Sequence, residues 1–263
     1  MIQAREYTDF AEWLSREAGA VLLKGFRSSE TEISYKSSTN IVTSIDKESE
    51  ALLYSRLKAQ YPGHSIIAEE GSRSENNSDY IWYIDPLDGT NNFAHGIPMF
   101  CVSLGLYSRI EKKVIAGVVY DAFHDEMFAA SDGGGAYLNG RKIRVSATRD
   151  IAYAMIATGF PYDKLTSPDN NLREFNNFLP RIQGIRRLGS AALDLCYVAC
   201  GRLDGFWEPK LYPWDTAAGS VIVREAGGNV SKYDGSPFDP EYPEIMASNG
   251  ALHPQMIEIL YTK

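Results

Sequence analysis

Phe10, Leu14, Ala18, Val21 and Leu22 recur at helical spacing and predict a first amphipathic helix, ended by Gly25. Residues 28–40 are polar, with several Ser, Thr and Glu, and predict a mobile turn or hairpin carrying Lys36. Thr43 to Asp46 reads as a capping box with Asp in place of the usual Glu. Leu52, Leu53 and Leu57 then form the core stripe of a second helix, which stops before Pro62-Gly63. Ile66-Ile67-Ala68 is a short apolar strand, and Tyr80-Ile81-Trp82-Tyr83-Ile84 reads as a buried one. Phe100 to Tyr107, Val114 to Tyr120 and Glu126 to Ala130 are rich in β-branched and aromatic residues and predict three more strands.

Asp132-Gly133-Gly134-Gly135 lacks the Lys-Ser/Thr and the helix of a phosphate loop, so it reads as a tight connection between antiparallel strands. Asn139-Gly140 reads as a hairpin turn. Beyond it, strand and helix alternate. Strands are expected at Tyr153–Thr158, Gly184–Arg187, Asp204–Glu208 and Ile245–Ser248. Helices are expected at Asn171–Phe178, Gly189–Cys200, Asp215–Ala226 and Leu252–Tyr261, the third ended by Gly227-Gly228. No internal repeat, low-complexity tract or flexible linker interrupts this order.

Composition narrows the function. The chain has 263 residues with 44% hydrophobic content, enough for a substantial core. Its formal net charge of −8 argues against nucleic-acid binding through a basic face. The densest basic patch, Arg186-Arg187 with Arg181 nearby, suits a solvated edge, a dimer contact or a site rim equally well. No stretch approaches the roughly 20 apolar residues needed to cross a membrane, and the first residues lack the apolar core of a signal peptide. Cys101, Cys196 and Cys200 lie in apolar segments without further Cys or His at ligand spacing. They read as free thiols of a reducing cytoplasm.

The chemistry concentrates in Asp85-Pro86-Leu87-Asp88-Gly89-Thr90. Pro86 biases Asp85 toward extended backbone, and Gly89 lets the chain turn. Two carboxylates and a hydroxyl thus stand at a strand end, the kind of oxygen cluster that Mg²⁺ takes. A lone pair of this sort would be a turn former, with Thr90 as a helix N-cap. The theme returns, however, at Glu69-Glu70 after a strand and at Trp214-Asp215-Thr216-Ala217-Ala218-Gly219 at a helix start.

Together with Lys36, Thr43-Ser44-Ile45-Asp46, Gly189-Ser190-Ala191-Ala192 and Glu208, in this order, these blocks resemble the inositol monophosphatase family. The resemblance implies that Glu69, Asp85, the Leu87 carbonyl, Asp88 and Asp215 hold two or three Mg²⁺ ions. Thr90 and Glu69 would orient or deprotonate the attacking water, and Asp46 would polarise Thr90. Gly189, Ser190, Ala191 and Glu208 would face the sugar or cyclitol, while Asp88, Gly89, Thr90 and Asp215 border the same substrate. Asn40 stands where the family often has Asp, outside the metal set.

The resemblance also implies a layered α/β sandwich. It would have an antiparallel sheet with helices in residues 1–147 and a smaller mixed sheet in residues 148–263, with the site between. A lithium-sensitive cytoplasmic homodimer acting on a small phosphorylated polyol or sugar is implied as well. Inositol 1-phosphate is the expected substrate. Fructose-1,6-bisphosphate, histidinol phosphate and a nucleotide 3′-phosphate are the alternatives within the family. A non-catalytic metal-binding regulator is the alternative outside it.

Physical chemistry supports the need for cations. At about 4 Å each like-charge pair costs on the order of 4 kcal/mol at an effective dielectric near 20. Mg²⁺ reverses that field, and the amides of Gly89 and Thr90 at a helix start would add direction for a phosphate. None of His64, His95, His124 and His253 falls in the motifs. Leaving-group protonation is therefore assigned to water held by the ion. His95, the nearest, is within reach of the site rim but reads better as a hydrogen-bonded or exposed helix-end residue.

Overall fold

The computed structural model describes residues 2–35 and 41–262, so Lys36 and Asn40 lie outside the described residues. The chain runs α1 (Ile2–Gly25), β1 (Ile33–Tyr35), β2 (Ile41–Thr43), α2 (Ser44–Gln60), β3 (Ser65–Ala68), β4 (Arg73–Ser74), β5 (Tyr80–Asp88) and α3 (Thr90–Ala94). Then follow β6 (Cys101–Ser108), β7 (Lys113–Asp121), β8 (Glu126–Ser131), β9 (Gly135–Leu138), β10 (Arg141–Lys142), β11 (Met155–Thr158), α4 (Leu172–Phe178) and β12 (Gly184–Arg186). The chain continues with α5 (Ala191–Ala199), β13 (Gly205–Pro209), α6 (Pro213–Glu225), β14 (Asn229–Ser231), β15 (Glu244–Ser248) and α7 (His253–Leu260).

Two large sheets result: eight strands in the order β10-β9-β8-β7-β6-β5-β3-β4, and five in the order β12-β11-β13-β15-β14. The first is antiparallel except that β3 runs parallel to β5, with Ala68 beside Ile84. The second is mixed, as expected: β11 is parallel to β12 and β13, and β15 is antiparallel to β13 and β14.

The period of two along each strand sorts side chains into layers. Trp82 and Ile84 pack with Leu14, Leu22, Leu53 and Leu57 under α1 and α2. Ile81 and Tyr83 face the opposite way and share a core with Leu195, Val221 and Ile222 of α5 and α6, and with Phe206 and Ala247 of the second sheet. Trp207 and Met246 point to the far side, where Phe178 and Met256 cover them. The order of layers is therefore helix, sheet, helix, sheet, helix.

Local sequence explains the helix bounds. Thr43 caps α2 by accepting from Ile45 N and Asp46 N, and Asp46 returns a carboxylate to Thr43 N. One boundary differs from the sequence reading: residues 151–153 form a short 3₁₀ turn, so β11 starts at Met155 rather than Tyr153. The turn begins at Asp150, whose side chain caps Ala152 N.

Candidate active site

Parallel pairing of β3 and β5 brings the carboxyl ends of both strands to one edge. Glu69 follows β3 and its N–H donates to Ile84 O (3.1 Å), so it stands beside Asp85. In a regular strand, residues three apart point to opposite faces. Here Asp85 pairs with Ser103 but Asp88 with Cys101, so a bulge inserts one residue and re-aims the end of β5. Asp85 Oδ1 accepts from Leu87 N (3.0 Å) across Pro86.

Gly89 then turns the chain at φ 95°. A Cβ there would lie 2.7 Å from Met99 O, so no other residue fits without backbone movement. Gly89, not Thr90, is the N-cap residue of α3, and that helix has five residues. Its dipole is correspondingly small, and any anion there is met by individual amides.

Helix α2 anchors this edge through one face. The Thr90 hydroxyl lies 3.0 Å from both Asp46 Oδ1 and Leu87 O. Asp46 Oδ2 accepts from Thr43 N (2.8 Å) and Thr43 Oγ1 (2.5 Å). Burial raises the Asp46 pKa despite these donors. Three residues along, Ser49 Oγ donates to Pro86 O (3.0 Å). Beside it the buried Glu50 accepts from Glu70 N (2.6 Å) with one oxygen and from Ser72 N (2.8 Å) with the other. Sequence reading missed Glu50, whose partners are loop amides.

The second half closes the pocket. Asp88 Oδ2 accepts from Ser190 Oγ (2.7 Å) and Ala192 N (2.8 Å), fastening the end of β5 to the start of α5. Ser190 also caps α5 by accepting from Leu193 N (3.3 Å). It lines the pocket, but its hydroxyl is committed to Asp88 rather than open to a sugar. Asp215 is in the first turn of α6 and accepts from Tyr212 N (2.7 Å). That helix presses close to the first sheet: a Cβ on Gly105 would lie 2.7 Å from Ala217 Cβ.

These residues surround one cavity of about 110 Å³. Glu69, Asp85, Leu87, Asp88, Gly89 and Thr90 line it from the first half, and Gly189, Ser190, Ala191, Glu208 and Asp215 from the second. Asp46 stands behind Thr90. Thr158 to Tyr162, Arg187, Asp194 and Lys210 also line it. Of the basic patch, then, Arg187 reaches the site. Gly159 makes room for Glu208, since a Cβ there would fall 2.0 Å from Glu208 Oε1. The dipeptide Gly159-Phe160 carried no signal of this, because its partner is 49 positions along the chain. His95 is off the pocket and has its Nδ1 2.8 Å from Asn91 O.

Electrostatics mark the cavity. Burial, then Glu69, Asp88 and Asp215, push the Asp85 carboxyl well above the usual range. Burial, Glu69 and Asp88 do the same to Asp215. Burial pushes Glu208 up to about 8, with Arg187 opposing. Among the described residues, no three His, Cys, Asp or Glu side chains are drawn tightly enough to form a ready-made ion cage. The acids line the walls of one cavity instead. Their chemistry fits a hard cation: every donor is a carboxylate or carbonyl oxygen, and mutual repulsion is relieved by positive charge.

The layered α/β fold is shared with a phosphatase of known structure. The profile of the inositol monophosphatase family matches residues 3–263, and the chain belongs to that family. It is 48% identical over 222 residues to an inositol-1-monophosphatase of Synechocystis, covering 84% of this chain and 77% of that one. It is 44% identical over 223 residues to the Nus factor SuhB of Pasteurella multocida, covering 84% and 83%. The solved inositol monophosphatase of Anabaena superposes with a TM-score of 0.88 at 42% identity, covering 97% of this chain and 95% of that one. No helix among the described residues is long and apolar enough to cross a membrane.

Proposed function

We propose that this pocket hydrolyses a phosphomonoester with Mg²⁺, and that inositol 1-phosphate is its substrate. The observation that carries the reading is the Thr90 hydroxyl, held 3.0 Å from Asp46 Oδ1 and facing a cavity walled by Glu69, Asp85, Asp88 and Asp215. Metal binding alone needs no oriented hydroxyl. Glu69, Asp85, the Leu87 carbonyl, Asp88 and Asp215 would hold the metal. When bound, Mg²⁺ supplies positive charge that offsets the acids and the phosphate and stabilises charge on attacking and leaving oxygens.

The chain's own residues do the rest. Asp46 keeps the Thr90 oxygen oriented, so that Thr90 and Glu69 together position a water and accept its proton. The amides of Gly89 and Thr90 meet phosphate oxygens. Ser190 and the start of α5 hold Asp88 in place. Glu208 accepts a hydroxyl of the leaving polyol, in space left by Gly159. Phosphoryl transfer asks mainly for such positioning and charge stabilisation.

A panel of phosphate esters assayed with saturating Mg²⁺ tests this. Inositol 1-phosphate should be among the best substrates. A bisphosphate or nucleotide 3′-phosphate cleaved about a hundredfold better would overturn the choice of substrate. A second reading, a non-catalytic regulator, is favoured by one observation: a 44% identical relative bears the name Nus factor. Absence of turnover with every ester would favour that reading.

A further inference from the structure

Asp194 lies in the first turn of α5 and lines the pocket, yet it has only 1% of its surface exposed. Its Oδ1 is buried without a hydrogen-bond partner among the described residues. Its backbone N–H is used normally, donating to Ser190 O (3.0 Å). An unpaired buried carboxylate oxygen is costly, and native folds keep few of them. The dipole of α5 favours an acid at this end, but that attraction is weak beside the cost of losing water.

The neighbours of Asp194 suggest what satisfies it. Besides burial, Glu208 and then Asp88 push its carboxyl up, while Arg187 draws it down. Asp194 therefore shares the pocket wall with Glu208 and Arg187, and its Oδ1 has no protein donor among the described residues. Two carboxyl groups lining one cavity suit a ligand that brings hydroxyls. Hydroxyl groups both donate to and accept from such carboxyl groups without adding charge to a buried wall.

We propose that Asp194 is a second hydroxyl-recognition residue, which together with Glu208 selects a phosphomonoester whose leaving group carries at least two free hydroxyls. The proposal rests on reading the pocket as a phosphomonoesterase site. Neither Asp194 nor Glu208 takes part in the bond-breaking step. Their contribution is to binding, and it is absent for an ester without hydroxyls.

The test compares wild type, D194A and D194N in Mg²⁺, with inositol 1-phosphate and with p-nitrophenyl phosphate, which has no hydroxyl. The readout is the ratio of the two kcat/KM values. In D194A the ratio should fall roughly tenfold or more, mostly through KM for inositol 1-phosphate, as for one lost hydrogen bond in a buried site. D194N keeps the shape and one acceptor oxygen, so its ratio should fall less than that of D194A. If D194A does not fold, D194N alone decides, and it should still show a lower ratio than wild type. An unchanged ratio, or equal losses on both esters, would overturn the proposal while leaving the proposed function standing. A wild type that cleaves neither ester would remove both.

Discussion

The Thr90 hydroxyl and the Asp46 carboxylate meet at 3.0 Å across 44 residues of sequence. The other oxygen of Asp46 is engaged by Thr43, so the cap of α2 also fixes the direction of the Thr90 side chain. One buried acid thus ties the start of α2 to the wall of the candidate site.

Thr90→Ala removes that directed oxygen while leaving the acids in place. Its kcat should drop by about 10²-fold or more, with little change in KM. Steady-state kinetics with inositol 1-phosphate check this. A raised KM with unchanged kcat would place Thr90 in binding instead.

Glu50 receives the amides on either side of Gly71 and so holds the loop that carries Glu69. Glu50→Gln replaces one acceptor oxygen with an amide that cannot accept. The Mg²⁺ concentration for half-maximal rate should rise by about tenfold, as for other residues that orient metal ligands. Isothermal titration with Mg²⁺ gives the same comparison without turnover. An unchanged Mg²⁺ requirement would make Glu50 a purely structural anchor.

Gly159→Ala puts a methyl group where the Glu208 carboxylate lies. The carboxylate is the end of a flexible side chain, so it should swing away rather than unfold the protein. The KM for inositol 1-phosphate should rise roughly tenfold with a nearly unchanged melting temperature. A large fall in melting temperature would show that the strand, not the carboxylate, gives way.

Glu208 also sets a pH dependence. Free glutamate titrates near pH ~4.3, and burial holds Glu208 up to about 8 in the folded chain. Between those values the folded state binds more protons than the unfolded one, so stability falls as pH rises. His64 and His253, whose pKa values burial lowers, act in the opposite sense near and below pH ~6.5. In metal-free protein the melting temperature should drop from about pH 7 to 8.5, and Glu208→Gln should lessen that drop. An equal drop in the variant would contradict the assignment.

Much of the fold was legible because its cause is local. The capping box at Thr43 and Asp46, the apolar run before Asp85 and the glycines after α6 each act within a few residues. Strand direction was not: Ile66-Ile67-Ala68 has the same apolar pattern whether β3 runs parallel or antiparallel to β5. Yet that direction is what sets Glu69 beside Asp85. The edge strands β4 and β14 were missed because two or three residues carry too little pattern. Glu50 and Asp194 look like ordinary helix acids in sequence. Their meaning comes from what surrounds them in space, a pair of loop amides in one case and the lack of any donor to Oδ1 in the other.

As proposed, Glu69, Asp85, Asp88 and Asp215 together form one cation site. Anomalous scattering from a crystal soaked in Mn²⁺, standing in for Mg²⁺, measures this directly. Peaks should appear inside the pocket within coordinating distance of these four acids, and Asp88→Asn should lose at least one of them. Mn²⁺ bound only elsewhere on the protein, or an undiminished set of peaks in the variant, would contradict it.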